Sequence, residues 1–195
     1  MKAQLLQHAF ARYFDAPLEA WQAFAELCEE VSFRKNEVIK RAGQAESYGY
    51  FILQGSCGTF LWKENHPVCL DLVLEQNFFA DEMSLITGAP SPIETVALEP
   101  TRALRIRKAH VEQLKQTPMG SLLFRISAEN TFIEKQQQQI DLLLKTAEQR
   151  YHELLLQRPQ LLQRVAQKHI ASYLGITTQS LSRIRKAAGR FVTKG

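Results

Sequence analysis

IASYLGITTQSLSRIRK, from Ile170 to Lys186, has the rhythm of two short helices joined by a tight turn. Ile170, Ala171 and Leu174 supply one apolar edge, Gly175 permits the positive φ of the turn, and Ile176 plugs the angle between the helices. Thr177 is placed to cap the second helix, whose inward face is Leu181 and Ile184. Thr178, Gln179, Ser180, Ser182, Arg183, Arg185 and Lys186 are left facing outward. Gln can bond adenine, Arg can fork onto guanine O6 and N7, and Ser, Thr and Lys can bind phosphate, so this polar face has the chemistry of a recognition helix. A generic helical hairpin with a polar exposed face is the other reading, and the distribution of charge is an independent sign that points toward nucleic acid, here double-stranded DNA.

The net charge of +4 is unevenly spread over the 195 residues. Residues 145–195 hold ten Lys or Arg against two Glu, hence +8, while residues 1–144 hold 14 basic and 18 acidic side chains, hence −4. A basic end on an acidic body points to two different partners, with a nucleic-acid phosphate backbone the obvious polyanion for the basic end; a solvated positive face is the alternative that charge alone leaves open.

Upstream, the pattern divides into three. Residues 1–27 carry apolar positions at intervals of three and four, broken by Pro17, and read as short helices. From about Ser32 come brief runs, EVIKR, YGYFILQG, CGTFLW, VCLDLVL, IETVALEP and RALRIRK, punctuated by Gly and Pro. Many short strands with frequent turns imply an antiparallel sandwich or barrel. After Lys108 the helical period returns, first around Val111 to Leu114 and then in a long helix from near Pro118. There Met119, Ile126, Ile133 and Ile140 recur every seven residues, flanked by Leu122, Leu123, Leu143 and Leu144, a stripe that predicts homodimerisation. The polar run Gln136 to Gln139 interrupts the seam, and packing against the barrel alone is the other explanation of the stripe. Thr146 with Gln149 forms a capping-box pattern, so one helix should stop near Lys145 and another start at Ala147, a natural hinge. The expected division is 1–117, a sensor barrel with N-terminal helices; 118–145, a dimerisation helix; and 146–195, a DNA-binding domain.

The segment RYHELLLQRPQLLQRVAQKHIASYLGITTQSLSRIRK, Arg150 to Lys186, closely resembles the C-terminal half of Crp/Fnr-type transcription regulators, particularly the Bacteroidetes branch with its IASYLGIT and LSRIRK runs. The resemblance extends over the whole chain and is looser in the barrel. It implies an α+β protein: an N-terminal antiparallel β-barrel of jelly-roll, cyclic-nucleotide-binding-like form, a long dimerisation helix, and a C-terminal all-α helix-turn-helix. By the same resemblance Thr178, Gln179 and Arg183 fall where the family touches base edges, and Thr177 and Ser180 where it touches phosphate. RNA polymerase is the further partner it implies. The family usually adds a β-wing, but only AAGRFVTKG follows Lys186, so a wing should be very short or absent.

The family's phosphate-binding cassette has a Gly-Glu-Leu turn opening a short helix and then an Arg-Ser/Thr-Ala run. The corresponding stretch is ADEMSLITGAPSPIETVAL, Ala80 to Leu98. Glu82 with Met83 stands near the first motif, and Glu94 with Thr95 near the second, so the phosphate-pairing Arg is missing. Glu94 in its place would turn a negative charge toward an anionic ligand, which argues against cAMP or cGMP. No cofactor is therefore expected, and the effector is left unnamed. A ligand sensor whose occupancy controls DNA binding is the alternative reading.

Other chemistries find little support. Cys28, Cys57 and Cys69 are widely spaced and read as buried thiols, and the five histidines are scattered, so no metal site is expected. There is no GxSxG, Walker loop, HExxH or converging acid pair, and enzyme activity is not expected. No apolar run approaches a membrane span and no signal peptide is visible, which makes the cytoplasm the expected location.

Overall fold

The computed structural model describes residues 2–11, 14–64 and 66–192, with side chains through residue 187. Two short helices, α1 (Lys2–Phe10) and α2 (Leu18–Glu26), precede eight strands: β1 (Cys28–Phe33), β2 (Val38–Lys40), β3 (Tyr48–Gln54), β4 (Cys57–Lys63), β5 (His66–Val73), β6 (Phe78–Phe79), β7 (Ile93–Ala97) and β8 (Thr101–Arg107). A one-and-a-half-turn helix α3 (Glu82–Thr87) lies between β6 and β7. The strands form two antiparallel four-stranded sheets, β1-β8-β3-β6 and β2-β7-β4-β5, the expected jelly-roll sandwich.

The runs YGYFILQ and CGTFLW lack clean alternation because both faces of each sheet are covered. Between the sheets lie Tyr50, Ile52, Cys57, Val73 and Phe79. On the outer side of the first sheet Phe51, Leu104 and Ile106 pack against Leu6, Trp21 and Phe24 of α1 and α2. On the outer side of the second, Phe60, Leu72 and Leu98 pack against the C-terminal helices.

Those helices follow α4 (Lys108–Lys115) and the long α5 (Pro118–Leu144). Thr117 caps α5 by accepting from the Gly120 N–H at 3.0 Å, and Pro118 opens it. The α4–α5 corner needs glycine at 120, since a Cβ there would stand 2.0 Å from the Leu114 carbonyl oxygen. The apolar stripe on α5 is split: Leu123 is buried and Met119 packs beside it against the α1–α2 layer, whereas Ile133, Leu143 and Leu144 are 63%, 77% and 80% exposed. α5 ends at Leu144, and the capping box of Thr146 and Gln149 is formed in both directions. There follow α6 (Ala147–Gln157), α7 (Pro159–Arg164), α8 (Gln167–Tyr173) and α9 (Thr178–Val192). α9 continues through Val192, so residues 187–192 form no wing, and residues 193–195 lie outside the described residues. No helix among the described residues is long and apolar enough to cross a membrane.

Candidate nucleic-acid interface and sensor cleft

The α8–α9 corner is built as its sequence predicts. Gly175 adopts φ +67° after α8; its N–H donates to the Ser172 carbonyl (3.0 Å), and the Ile176 N–H donates to that of Ala171 (2.9 Å). This is the Schellman ending, which a left-handed residue completes. Thr177 then accepts from the Ser180 N–H at 3.1 Å, capping α9, and Leu181 anchors the helix with 1% of its surface exposed.

With Leu181 inward, Thr177, Thr178, Gln179, Ser182, Arg183, Arg185 and Lys186 are exposed along one helix and its cap. Ser180 is half-buried and held between Thr177 and Arg183: its Oγ lies 3.1 Å from Thr177 Oγ1 and accepts from Arg183 Nη2 at 3.1 Å. That bond steadies the Arg183 guanidinium at the centre of the face. The arrangement offers one amide, three cationic heads and short hydroxyls to a polyanion.

Between the barrel, α5 and α8 lies a cleft of about 490 Å³. Thr59, Val68, Phe79, Met83 and Ile93 line it from the barrel, Lys135, Gln138 and Leu142 from α5, and Ser172 and Tyr173 from α8. Glu82 and Met83 both line this cleft. Desolvation pushes the Glu82 carboxyl above its usual range, with Lys135 acting to lower it, although the residue still reaches solvent.

Glu94 corrects the expectation made for it. Strand alternation puts Ile93 in the cleft lining and turns Glu94 to the outer face, where it accepts from Trp62 Nε1 at 3.2 Å. No negative charge from Glu94 enters the cleft. Thr95 lies on the Ile93 face, fully buried outside the lining, with a hydroxyl that finds no hydrogen-bond partner among the described residues.

The N-terminus of α3, where the family resemblance would seat a phosphate, is filled by the protein itself. Asp81 caps it, accepting from the Ser84 N–H at 3.2 Å. The other Asp81 oxygen takes Lys40 Nζ at 2.6 Å and the Ser91 hydroxyl. Lys40 donates further to Ser91 Oγ (2.9 Å) and the Ile93 carbonyl (2.8 Å), so each of its protons has an acceptor. The three arginines of β8 are engaged elsewhere: Arg105 and Arg107 pair with Glu29 and Arg102 with Glu30, outside the barrel. Among the described residues Lys135 is the only cation in the cleft lining, and Asp71 Oδ2 holds it at 2.5 Å.

Sequence reasoning missed Lys135, Asp71 and Gln138, because a polar run on a helix carries no sign of which strand it will face. The three thiols are buried, and desolvation pushes each up to about 12, the state of inert structural cysteines.

Comparison with known proteins fits this geometry. Residues 30–117 match the cyclic nucleotide-binding domain family. No curated protein sequence matches the chain. Among solved structures the chain is similar to FixK2 from Bradyrhizobium japonicum, with TM-score 0.71 and 19% identity over 84% of this chain and 85% of that one. It is similar also to CLP of Xanthomonas campestris, described as a c-di-GMP responsive global regulator, with TM-score 0.68 and 16% identity over 89% and 92% of the two chains. A CooA mutant from Carboxydothermus hydrogenoformans gives TM-score 0.66 and 15% identity over 87% and 79%. The cyclic nucleotide-binding-type barrel followed by a long helix and further helices is the fold of Crp/Fnr-type regulators.

Proposed function

We propose that the protein is a homodimeric, sequence-specific DNA-binding transcription regulator, with residues 1–117 as sensor, 118–145 as dimerisation helix and 146–195 as DNA reader. The observation that carries this reading is the outward face of α9, where Gln179 and Arg183 stand between phosphate-binding hydroxyls and cations on a helix anchored by Leu181. Thr178, Gln179 and Arg183 are assigned to base edges, and Thr177, Ser180, Arg185 and Lys186 to phosphates. RNA polymerase is the downstream partner in this reading.

DNA binding is independent of cAMP and cGMP in the same proposal. The support is the α3 N-terminus already occupied by the Asp81 carboxylate, and a cleft whose lone lysine is engaged by Asp71. A cyclic phosphate would need that helix end and an uncommitted cation.

Selection from random duplexes tests both parts, run without nucleotide and again with cAMP or cGMP. Enrichment of a palindrome without nucleotide is the expected result, with half-sites about one helical turn apart. Enrichment only with nucleotide overturns the second part. Arg183→Ala should cost about 1–3 kcal/mol of specific binding and relax selection at one base position, read by titration of the selected duplex.

A further inference from the structure

The DNA-binding helices are seated on the barrel by contacts that the proposed function does not require. Arg164, at the end of α7, forks onto Glu75 of the β5–β6 loop, Nη1 to Oε2 at 2.8 Å and Nη2 to Oε1 at 2.6 Å. The same Nη2 reaches Glu99 Oε1, in the turn between β7 and β8, at 2.6 Å. Glu75 is itself fixed to the barrel, for its Oε1 accepts the Gly55 N–H at 2.8 Å. The Arg164 guanidinium holds the Glu75 carboxyl down at about 2.

Beside this pair, α8 supplies hydrogen bonds that the edge strand β5 lacks. The Cys69 N–H donates to Ser172 Oγ at 2.8 Å, and that hydroxyl donates to the Pro67 carbonyl at 3.3 Å. An open sheet edge must be paired or covered, and here the reader covers it.

From this geometry we infer that the reader is latched to the barrel through Arg164, and that DNA phosphates compete with Glu75 and Glu99 for this guanidinium, making the latched form the weaker DNA binder. The inference rests on the reading of α9 as a DNA-binding helix. In a helix-turn-helix the first helix crosses the phosphate backbone, and α8, which begins three residues after Arg164, is that helix. Two carboxylates at its entrance repel phosphate and neutralise a cation that could otherwise contact it. Releasing the latch removes that repulsion and adds one phosphate contact.

The test uses the full chain carrying Glu75→Gln with Glu99→Gln, which keeps the side-chain shapes and leaves Arg164 charged. Two readouts are taken: duplex affinity as a function of salt, and amide hydrogen exchange of α7, α8 and Cys69 without DNA. Expected are faster exchange in those segments, DNA binding tighter by about three- to tenfold at low salt, and a log–log salt slope steeper by about 1.8, one added contact from each protomer of the dimer. Arg164→Ala should speed exchange equally but leave the slope unchanged, since the released cation is gone. Unchanged exchange in the double variant overturns the latch. Faster exchange with unaltered or weaker DNA binding overturns the inhibition. If neither the original protein nor the variant binds any duplex at low salt while exchange rises, it is the DNA reading that fails, and the competition falls with it.

Discussion

Lys40 and Asp81 have side chains only 4% and 0% exposed, yet they form an ion pair at 2.6 Å. Buried charges of this kind persist when each polar atom has a partner, and here Ser84, Ser91 and the Ile93 carbonyl complete the set. Breaking such a pair from one side leaves an uncompensated charge and costs about 3–5 kcal/mol. Asp81→Asn should therefore lower unfolding stability by about that amount in urea titration, with the loss of the carboxylate at the α3 N-terminus included. A loss below about 1 kcal/mol would mean that Lys40 finds another acceptor. The same residue fills the α3 N-terminus at Asp81-Glu82-Met83 from within the protein. The internal carboxylate does the capping that an external anion would do.

At the scale of elements, α5 divides its apolar stripe between two tasks. Its first turns serve the barrel through Leu123, while Ile133, Leu143 and Leu144 remain open for the proposed second copy. Ile133→Asp should give a monomer in sedimentation analysis with little change in melting temperature, since the residue is exposed in the single chain. Leu123→Ala should do the reverse, costing about 2–5 kcal/mol of stability while assembly persists. The elements were largely legible in the sequence where local chemistry decides them. The Gly175 turn, the Thr177 cap and the Thr146–Gln149 box each involve residues three or four positions apart, and each forms as read. β1 begins at Cys28, ahead of the strand pattern read from about Ser32, because Cys28 continues the helical spacing of Trp21, Phe24 and Ala25, and the partners of Glu29 and Glu30, Arg105 and Arg102, lie far along the chain. Glu94 was aimed wrongly for a related reason. Both faces of the second sheet are apolar in places, so the phase of β7 is set by its pairing with β4, and no alternation in IETVA announces it. The Arg164–Glu75 contact spans 89 positions and lies beyond any local rule.

Across the whole molecule, the second sheet is sandwiched between the barrel interior and the C-terminal helices, and His169 and Glu75 are titratable groups on that seam. The His169 ring lies 5.0 Å from that of Phe60, and burial lowers its pKa from the ordinary value, with Lys168 adding to the effect. A histidine depressed in the folded state binds fewer protons there than in the unfolded chain, so its contribution is complete above its ordinary pKa, about 6.5, and is lost as pH falls toward the folded value. Glu75 acts in the same direction at lower pH: held at about 2 by Arg164, it contributes above its ordinary range and loses that contribution as pH falls through about 2. Both terms therefore weaken the seam on acidification, the histidine first. The melting temperature of the full chain should fall as pH drops below about 6.5, and the protection factors of the α8 amides, which remove the intrinsic pH dependence of exchange, should fall with it. His169→Phe keeps an aromatic ring against Phe60 without a titrating nitrogen, and it should flatten that response while leaving the lower-pH loss in place. A profile unchanged by His169→Phe would place the acid sensitivity elsewhere than on this seam.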